Sequence, residues 1–325
     1  MVAIQLDRET TILIGQKTIV SGQSVESDIT CVTHGHLDHW GGRKKPSIMT
    51  NETYNILRAR KIGISNYLSA KHGETINPFG DIKITLMNSG HMLGSSLFKI
   101  ETPELDVVYT GDLNTVETML DRPAKVVNGE ELIIEATYGA PLYKFGPRDN
   151  IYAQIVRWIL KTIKEGFIPC FKVYSAGKAQ EIIALVNRLL DIDVVVSQNV
   201  YRVSSVYKMT YPWMNFELIG SIESGEILRN GEFVYVSSSR SYVPTWKRTK
   251  WAVATGWALT SLFPEFDAAF PLSSHADFKG LLDYVEAVSP RKIFTLFGHS
   301  VTFAKFLRKL GYSAYALEEK PRVEI

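Results

Sequence analysis

Cysteine is scarce in this chain: two residues in 325, Cys31 and Cys170, both inside apolar runs. At most one bridge is possible, which excludes a disulfide-built scaffold and suits a reducing compartment. Excess charge is missing as well. With 36 basic and 34 acidic residues, the formal net charge is +2, which excludes a uniformly basic coat but not a local basic patch. No apolar run approaches the roughly 20 residues of a membrane span, and the opening MVAIQLDRET lacks the apolar stretch of a signal peptide. Internal repeats and low-complexity tracts are also lacking. At 45% hydrophobic residues, the chain is long enough to bury a large core in one domain or two. These absences lead to the expectation of a soluble, cytoplasmic globular protein with no membrane partner.

Local patterning divides the chain. Runs rich in Val, Ile and Thr, bounded by Gly, Asp, Asn and Pro, fill the first part: TILIG, DITCVTH, IKITLM, SSLFKI, LDVVYTGD and ELIIEAT. They read as strands. TNETYNILRARKIG has helical spacing, with Thr50 or Asn51 as N-cap. The middle alternates a helix in RDNIYAQIVRWILKTIKEG, a strand in IPCFKVYS, a helix in AGKAQEIIALVNRLL and a strand in IDVVVSQ. That order is the pattern of a parallel sheet with crossover helices. The last part returns to strand, helix, strand and helix in DAAFPLSSH, DFKGLLDYVEAV, RKIFTLFGH and VTFAKFLRKLG. The fold class is α/β, with boundaries near residues 143 and 245.

Histidine is the remaining scarcity, with seven residues. Three of them, His34, His36 and His39, crowd around Asp38 in THGHLDH. Other polar residues sit at or just beyond the C-terminal end of an apolar run: Asp112 after VVYTG, Glu135 after ELII, His275 after AFPLSS and His299 after IFTLFG, with His91 in NSGHMLGSS. Strand ends deliver side chains to one edge of a sheet, where α/β proteins keep their sites. A single histidine so placed is most often structural. His-x-His-x-Asp-His is different. Imidazole and carboxylate are ligands of Zn²⁺ and similar ions, and burying four such groups without a metal leaves several polar groups in need of partners. As a solvated loop they would be harmless but oddly concentrated. The spacing points to two ions, one closed by His34 and His36, the other served by Asp38 and His39. His91, Asp112 and His299 complete the shells from afar, with Asp112 able to bridge. Two ions roughly 3.5–4 Å apart form a clamp suited to in-line attack at phosphorus.

THGHLDH, His91 in SGHMLGS and Asp112 in YTGD resemble, in spacing and order, the metallo-β-lactamase superfamily. Glu135 in IIEATYG, His275 in LSSHAD and His299 in FGHS are similar to the three additional motifs of the β-CASP nucleases. The resemblance spans essentially the whole chain and is strongest to compact members, the archaeal mRNA 3′-end-processing-like exonucleases and the bacterial ligase-associated DNA exonucleases. It implies an αββα metallo-β-lactamase sandwich formed by residues 1–143 and 245–325, with an inserted α/β β-CASP cap at 144–244. It implies two Zn²⁺ ions, with Mn²⁺ as the alternative. His34, His36 and His91 would hold one; Asp38, His39 and His299 the other; Asp112 would bridge. An activated water would be the nucleophile. Asp38, His275 and Glu135 are the catalytic candidates, His275 as general acid and Glu135 as the carboxylate that orients it. An ordinary loop carboxylate is the plain alternative for Glu135.

The middle segment offers substrate contacts. SAGKAQE presents backbone N–H groups and Lys178 at a helix N-terminus, and VYVSSSR ends a strand with Ser237, Ser238, Ser239 and Arg240. A plain helix cap and a solvated loop are the alternatives. Basic candidates are Arg43, Lys44 and Lys45 after the histidine motif, and Lys247, Arg248 and Lys250 interleaved with tryptophans in TWKRTKW. The latter reads equally as a half-buried strand. The expected activity is that of a metal-dependent phosphodiesterase, an exonuclease in RNA processing. Single-stranded RNA is favoured because His299 resembles the RNA-processing branch; ATGWAL resembles the DNA-repair branch and keeps a DNA exonuclease as the alternative. A small-molecule hydrolase of the same superfamily would share the first motifs but have no need of the Glu135–His275 pair. A non-catalytic scaffold would have lost ligands, and every motif position here is filled. The sequence does not set the oligomeric state.

Overall fold

A computed structural model describes residues 2–6, 10–14, 17–21, 27–40 and 46–324. Among these residues the fold is mixed α/β, with three sheets and seven α-helices. The chain divides into two compact units, 1–117, 121–144 and 275–325 in the first and 118–120 and 145–274 in the second.

The first unit holds two seven-stranded sheets. One runs Arg322–Glu324, Val2–Leu6, Thr10–Ile14, Lys17–Ser21, Ile29–Cys31, Ser47–Met49 and Tyr67–Ser69, antiparallel at first and parallel from Lys17–Ser21 onward. The other runs Ala314–Ala316, Lys292–Leu296, Glu131–Glu135, Asp106–Tyr109, Ser96–Glu101, Ile82–Asn88 and Thr75–Phe79. One core cluster draws on both: Ile4, Ile19, Cys31 and Ile48 from the first sheet meet Phe98, Val107, Ile133 and Phe294 from the second. The period of two along a strand explains the second sheet's sequence. Val107 and Ile133 enter this core, while their neighbours Val108, Leu132 and Ile134 pack on the opposite face against the helices Phe278–Val288 and Ser300–Lys309. Strands covered on both faces read as unbroken apolar runs, as LIIE and DVVY do. On the outer side of the first sheet, Val32 and Met49 pack with Leu57 of the helix Asn51–Ala59. Thr50 caps that helix, its hydroxyl accepting from the Thr53 N–H at 3.1 Å.

The second unit is built on one parallel sheet: Glu217–Leu218, Asp193–Val196, Phe233–Ser237, Ile168–Lys172, Thr249–Ala254 and Ala268–Phe270. Its helices are Arg148–Lys164, Lys178–Leu189, Gln198–Thr210 and Ile222–Asn230. The sheet runs past the boundary expected near 245. Thr249–Ala254, the half-buried TWKRTKW strand, pairs in parallel register with Ile168–Lys172, and Ala268–Phe270 pairs beyond it. Five consecutive residue pairs, Ile168 with Thr249 through Lys172 with Val253, hold it inside this unit. Among the described residues no helix is long and apolar enough to cross a membrane.

Candidate metal centre

The ligand-bearing side chains of the first unit arrive from separate strand ends. Ile29–Cys31 is buried throughout and leads into the THGHLDH loop, which closes in a short 3₁₀ turn at Leu37–His39. Asp106–Tyr109 leads to Asp112, Glu131–Glu135 ends on Glu135, Lys292–Leu296 leads to His299, and the connection between Ile82–Asn88 and Ser96–Glu101 carries His91. The Ser96 N–H donates to the Thr33 carbonyl at 2.7 Å, tying two of these loops together.

His34, His36, His91 and Asp112 present donor atoms that all lie within 4.8 Å of one another. His34 Nε2 is 3.0 Å from His36 Nδ1 and 3.4 Å from Asp112 Oδ2. His91 Nε2 is 3.5 Å from both of those atoms. Metal–nitrogen bonds of about 2.0–2.1 Å at tetrahedral angles set neighbouring ligand atoms about 3.3 Å apart, so these spacings match the edges of a tetrahedral site. The set fits a small divalent cation in its chemistry too. His34 is fully buried, and its Nδ1 lies 3.0 Å from the Thr33 hydroxyl. An Nδ1–H donated to that oxygen leaves the Nε2 lone pair facing the cluster. Burial, then the charges of His39, His91, His36 and His275, push His34 well below the usual imidazole range, which keeps it neutral and able to ligate. Burial raises the Asp112 carboxyl, against the pull of His39 and His275. A cation at this point would offset that desolvation.

Asp112 is shared. Its Oδ1 lies 3.7 Å from His39 Nε2, while its Oδ2 lies 3.8 Å from His275 Nε2. His39 is buried with no hydrogen-bond partner for its Nδ1 among the described residues, and its Nε2 is 4.0 Å from Asp38 Oδ2. The Asp38 side chain is 80% exposed, unlike the rest of the set. His299 precedes the helix Ser300–Lys309; its N–H donates to the Ala136 carbonyl at 2.7 Å and its ring lies 5.1 Å from that of Tyr143. Phe297, two residues earlier, holds a left-handed φ of 63° and sets its ring 5.7 Å from His39. Such a backbone in a bulky residue is a strained feature typical of functional sites.

Glu135 and His275 form a pair, His275 Nδ1 lying 2.8 Å from Glu135 Oε1. Glu135 is fully buried and also accepts from the N–H groups of Leu113 at 2.8 Å and Thr137 at 3.1 Å. Burial alone would raise its carboxyl. The His275 charge and hydrogen bond, with the Leu113 and Thr137 contacts, hold it below the usual carboxylate range. It is therefore an ionised acceptor that fixes the His275 ring.

The remaining candidates lie in the second unit. Lys178 is buried, its ammonium 3.0 Å from Glu181 Oε2 and 2.9 Å from the Ser274 hydroxyl. Ser237 is also buried and accepts from the Ser239 N–H at 3.2 Å. Ser239 and Arg240 are exposed and Ser238 is half-buried; Arg240 donates to the Glu265 carbonyl at 2.6 Å. Of the TWKRTKW cations, Lys250 pairs with Glu165 at 2.6 Å and Arg248 stands over the Phe167 ring at 5.1 Å. Arg43, Lys44 and Lys45 lie outside the described residues. Sequence reasoning missed Thr33, Arg60, Arg148 and Glu181. Thr33 has a local signal, its place directly before His34, and so has Glu181, three residues after Lys178 on one helix; Arg60 and Arg148 act through contacts that only the fold creates.

No protein-family model matches the chain. A protein named "Probable DNA ligase" from Opitutus terrae is 30% identical over 311 residues, covering 90% of this chain and 29% of that protein. An "RNase J-like protein" from Methanocaldococcus jannaschii is 27% identical over 238 residues, 63% of this chain and 56% of its own length. "RNase aCSPSF2" from Saccharolobus solfataricus is 26% identical over 135 residues, 41% of this chain and 27% of its own. The chain thus spans between about a quarter and just over half of these curated relatives. The crystal structure of a protein of unknown function from Enterococcus faecalis V583 superposes with a TM-score of 0.72 at 13% identity, covering 100% of both chains, a likeness of fold alone. The RNase-named and ligase-named relatives are consistent with the resemblance to the β-CASP family of the metallo-β-lactamase superfamily that the ordered ligand-bearing loops carry.

Proposed function

We propose that this chain is a metal-dependent nuclease that hydrolyses phosphodiester bonds, acting as an exonuclease on single-stranded RNA. The observation that carries this is the sharing of Asp112: one carboxylate joins a three-imidazole cluster to the half-buried His275 of the Glu135–His275 acid pair. A ligand cluster beside a preorganised proton donor is the equipment of phosphoryl transfer to water. On this reading the first unit is the αββα metallo-β-lactamase sandwich and the second the inserted β-CASP cap.

The residues divide the work. His34, His36, His91 and Asp112 would hold one Zn²⁺ ion, and Asp38, His39 and His299 with Asp112 a second; Mn²⁺ is the alternative metal. When bound, such ions supply Lewis acidity toward phosphoryl oxygens and lower the pKa of water. Glu135 holds the Nδ1–H of His275 and stabilises its imidazolium, so that Nε2 can deliver a proton to the leaving oxygen. Lys178, Ser237, Ser238, Ser239 and Arg240 are the substrate-contact candidates of the second unit.

Two relatives carrying "RNase" in their names support RNA as substrate. One observation favours a second reading: the match that covers 90% of this chain is to part of a probable DNA ligase, which supports a DNA exonuclease in repair. End-labelled RNA and single-stranded DNA of matched sequence, incubated with zinc- or manganese-loaded protein, separate the two. Stepwise shortening of RNA alone is the expected result. Stepwise shortening of DNA alone selects the second reading, and cleavage of neither contradicts both.

A further inference from the structure

We infer that the helix Asn51–Ala59 is a brace that sets the spacing between the two ligand-bearing loops, with Thr53 and Arg60 as its positioning residues; this rests on reading those loops as a metal centre. The helix carries none of the ligands. Its N-terminal end grips the His91 loop: the hydroxyls of Thr50 and Thr53 both donate to the Gly94 carbonyl, at 2.8 and 2.9 Å. Thr53 is fully buried and Thr50 nearly so, so neither bond competes with water. Gly94 is followed by Ser95, whose hydroxyl accepts from the N–H groups of both His91 and Met92 at 3.1 Å. The helix therefore reaches His91 through one residue.

The other end grips the His34–His39 loop. Arg60, the C-cap, donates from Nη1 to the Gly35 carbonyl at 2.9 Å, between His34 and His36. Burial pushes the Arg60 guanidinium down, and the charge of Asp38 in the same loop works against that. One turn before Arg60, Ile56 packs directly under Gly35: a Cβ built there would meet Ile56 Cγ2 at 2.4 Å. At the opposite end, a Cβ on Gly94 would meet the Glu52 Cβ at 2.6 Å, and Gly94 holds a left-handed φ of 75°. Both loops thus present a glycine where the helix comes too close for a side chain. Ile56 and Arg60, four apart, share a helix face, as do Thr50 and Thr53, three apart. A single rigid rod with a hydrogen-bonding grip at each end fixes a distance that neither loop sets alone.

Partners that orient metal ligands typically change metal affinity by about 10–100-fold when removed. Thr53→Val keeps shape and removes one hydroxyl; Arg60→Met keeps the aliphatic stem and removes the guanidinium. The test is zinc affinity by chelator competition, alongside the thermal midpoint of the metal-free protein, with His36→Ala and the helix-surface variant Arg58→Ala as references. Expected are a roughly ten-fold or greater weakening for Thr53→Val and for Arg60→Met, a larger loss for the double variant, metal-free midpoints close to wild type, and no change for Arg58→Ala. Arg60→Lys, which keeps the charge, should recover part of the affinity. If Thr53→Val fails to fold, the Arg60 variants decide alone. Unchanged affinity in both variants while His36→Ala loses zinc overturns the brace. Full zinc binding by His36→Ala overturns the metal centre itself.

Discussion

At the residue scale, Asp112 is the pivot. One oxygen faces His34, His91 and His275 and the other faces His39. The acid pair beside it has a consequence that substrate chemistry can read. His275→Ala should keep its metal yet cleave an ordinary phosphodiester about 10²–10⁴-fold more slowly. A p-nitrophenyl phosphodiester, whose leaving group needs no proton, should be hydrolysed at close to the wild-type rate. Equal loss on both substrates would remove His275 from the role of acid. The buried imidazoles also set a pH dependence. His34 is held below its unfolded value of about 6.5, so the unfolded chain takes up that proton first. Its contribution to the stability of the metal-free protein is present above pH 6.5 and is lost as pH falls through the folded value. Asp112, held above its usual range, works in the opposite direction. Denaturation midpoints of metal-free protein between pH 8 and 5 should therefore fall more steeply for wild type than for His34→Gln, and parallel curves would contradict the assignment.

At the element scale, two helix starts meet in a buried ionic cluster in the second unit. Arg148, first residue of Arg148–Lys164, and Lys178, first residue of Lys178–Leu189, both bind Glu181. Tyr152 donates to Glu181 at 2.6 Å, Arg148 donates to the Ser273 carbonyl at 2.9 Å, and Lys178 donates to the Ser274 hydroxyl. Burial would raise the Glu181 carboxyl, but Arg148 and then Lys178 pull it down to about 2. Glu181→Gln leaves two buried cations without their carboxylate, and breaking such a set costs about 3–5 kcal/mol. Chemical denaturation of the variant should show a loss of that order, while a loss below about 1 kcal/mol would mean that the cluster is not a structural keystone.

This cluster also shows where reading the chain alone stops. GKAQE displays Lys178 at a helix start, and that much is legible from Gly and helical spacing. Glu181, three residues on along the same helix, is a local partner; Arg148, Tyr152 and Ser274, distant along the chain, join the pair only in the folded unit. The long amphipathic helices and the strands with LIIE- or DVVY-like runs were legible because burial on one stripe or on both faces writes a periodicity. Ser47–Met49 and Tyr67–Ser69 are three residues each, too short to carry a period. Arg60 left no signal either, since it acts on a loop 25 residues away.

At the scale of the whole molecule, the residue classes sort by unit. The ligand candidates His34, His36, Asp38, His39, His91, Asp112 and His299 all belong to the first unit, as do Glu135 and His275, although they come from positions 34 to 299. Apart from 118–120, the chain leaves that unit after Lys144 and returns at His275, so the proposed acid is the first residue after the long excursion. The six motifs were legible because each ends an apolar run; the end of the insertion was not, because Thr249–Ala254 and Ala268–Phe270 look like any buried strand until paired. The direct test of the whole account is to strip the protein with a chelator, measure bound zinc and manganese by elemental analysis before and after reloading, and follow cleavage of end-labelled RNA and single-stranded DNA in each state, for wild type and His36→Ala. The account predicts that cleavage disappears with the metal, returns on reloading in wild type, and does neither in His36→Ala. Undiminished cleavage by metal-free protein, or wild-type cleavage by His36→Ala, would contradict it.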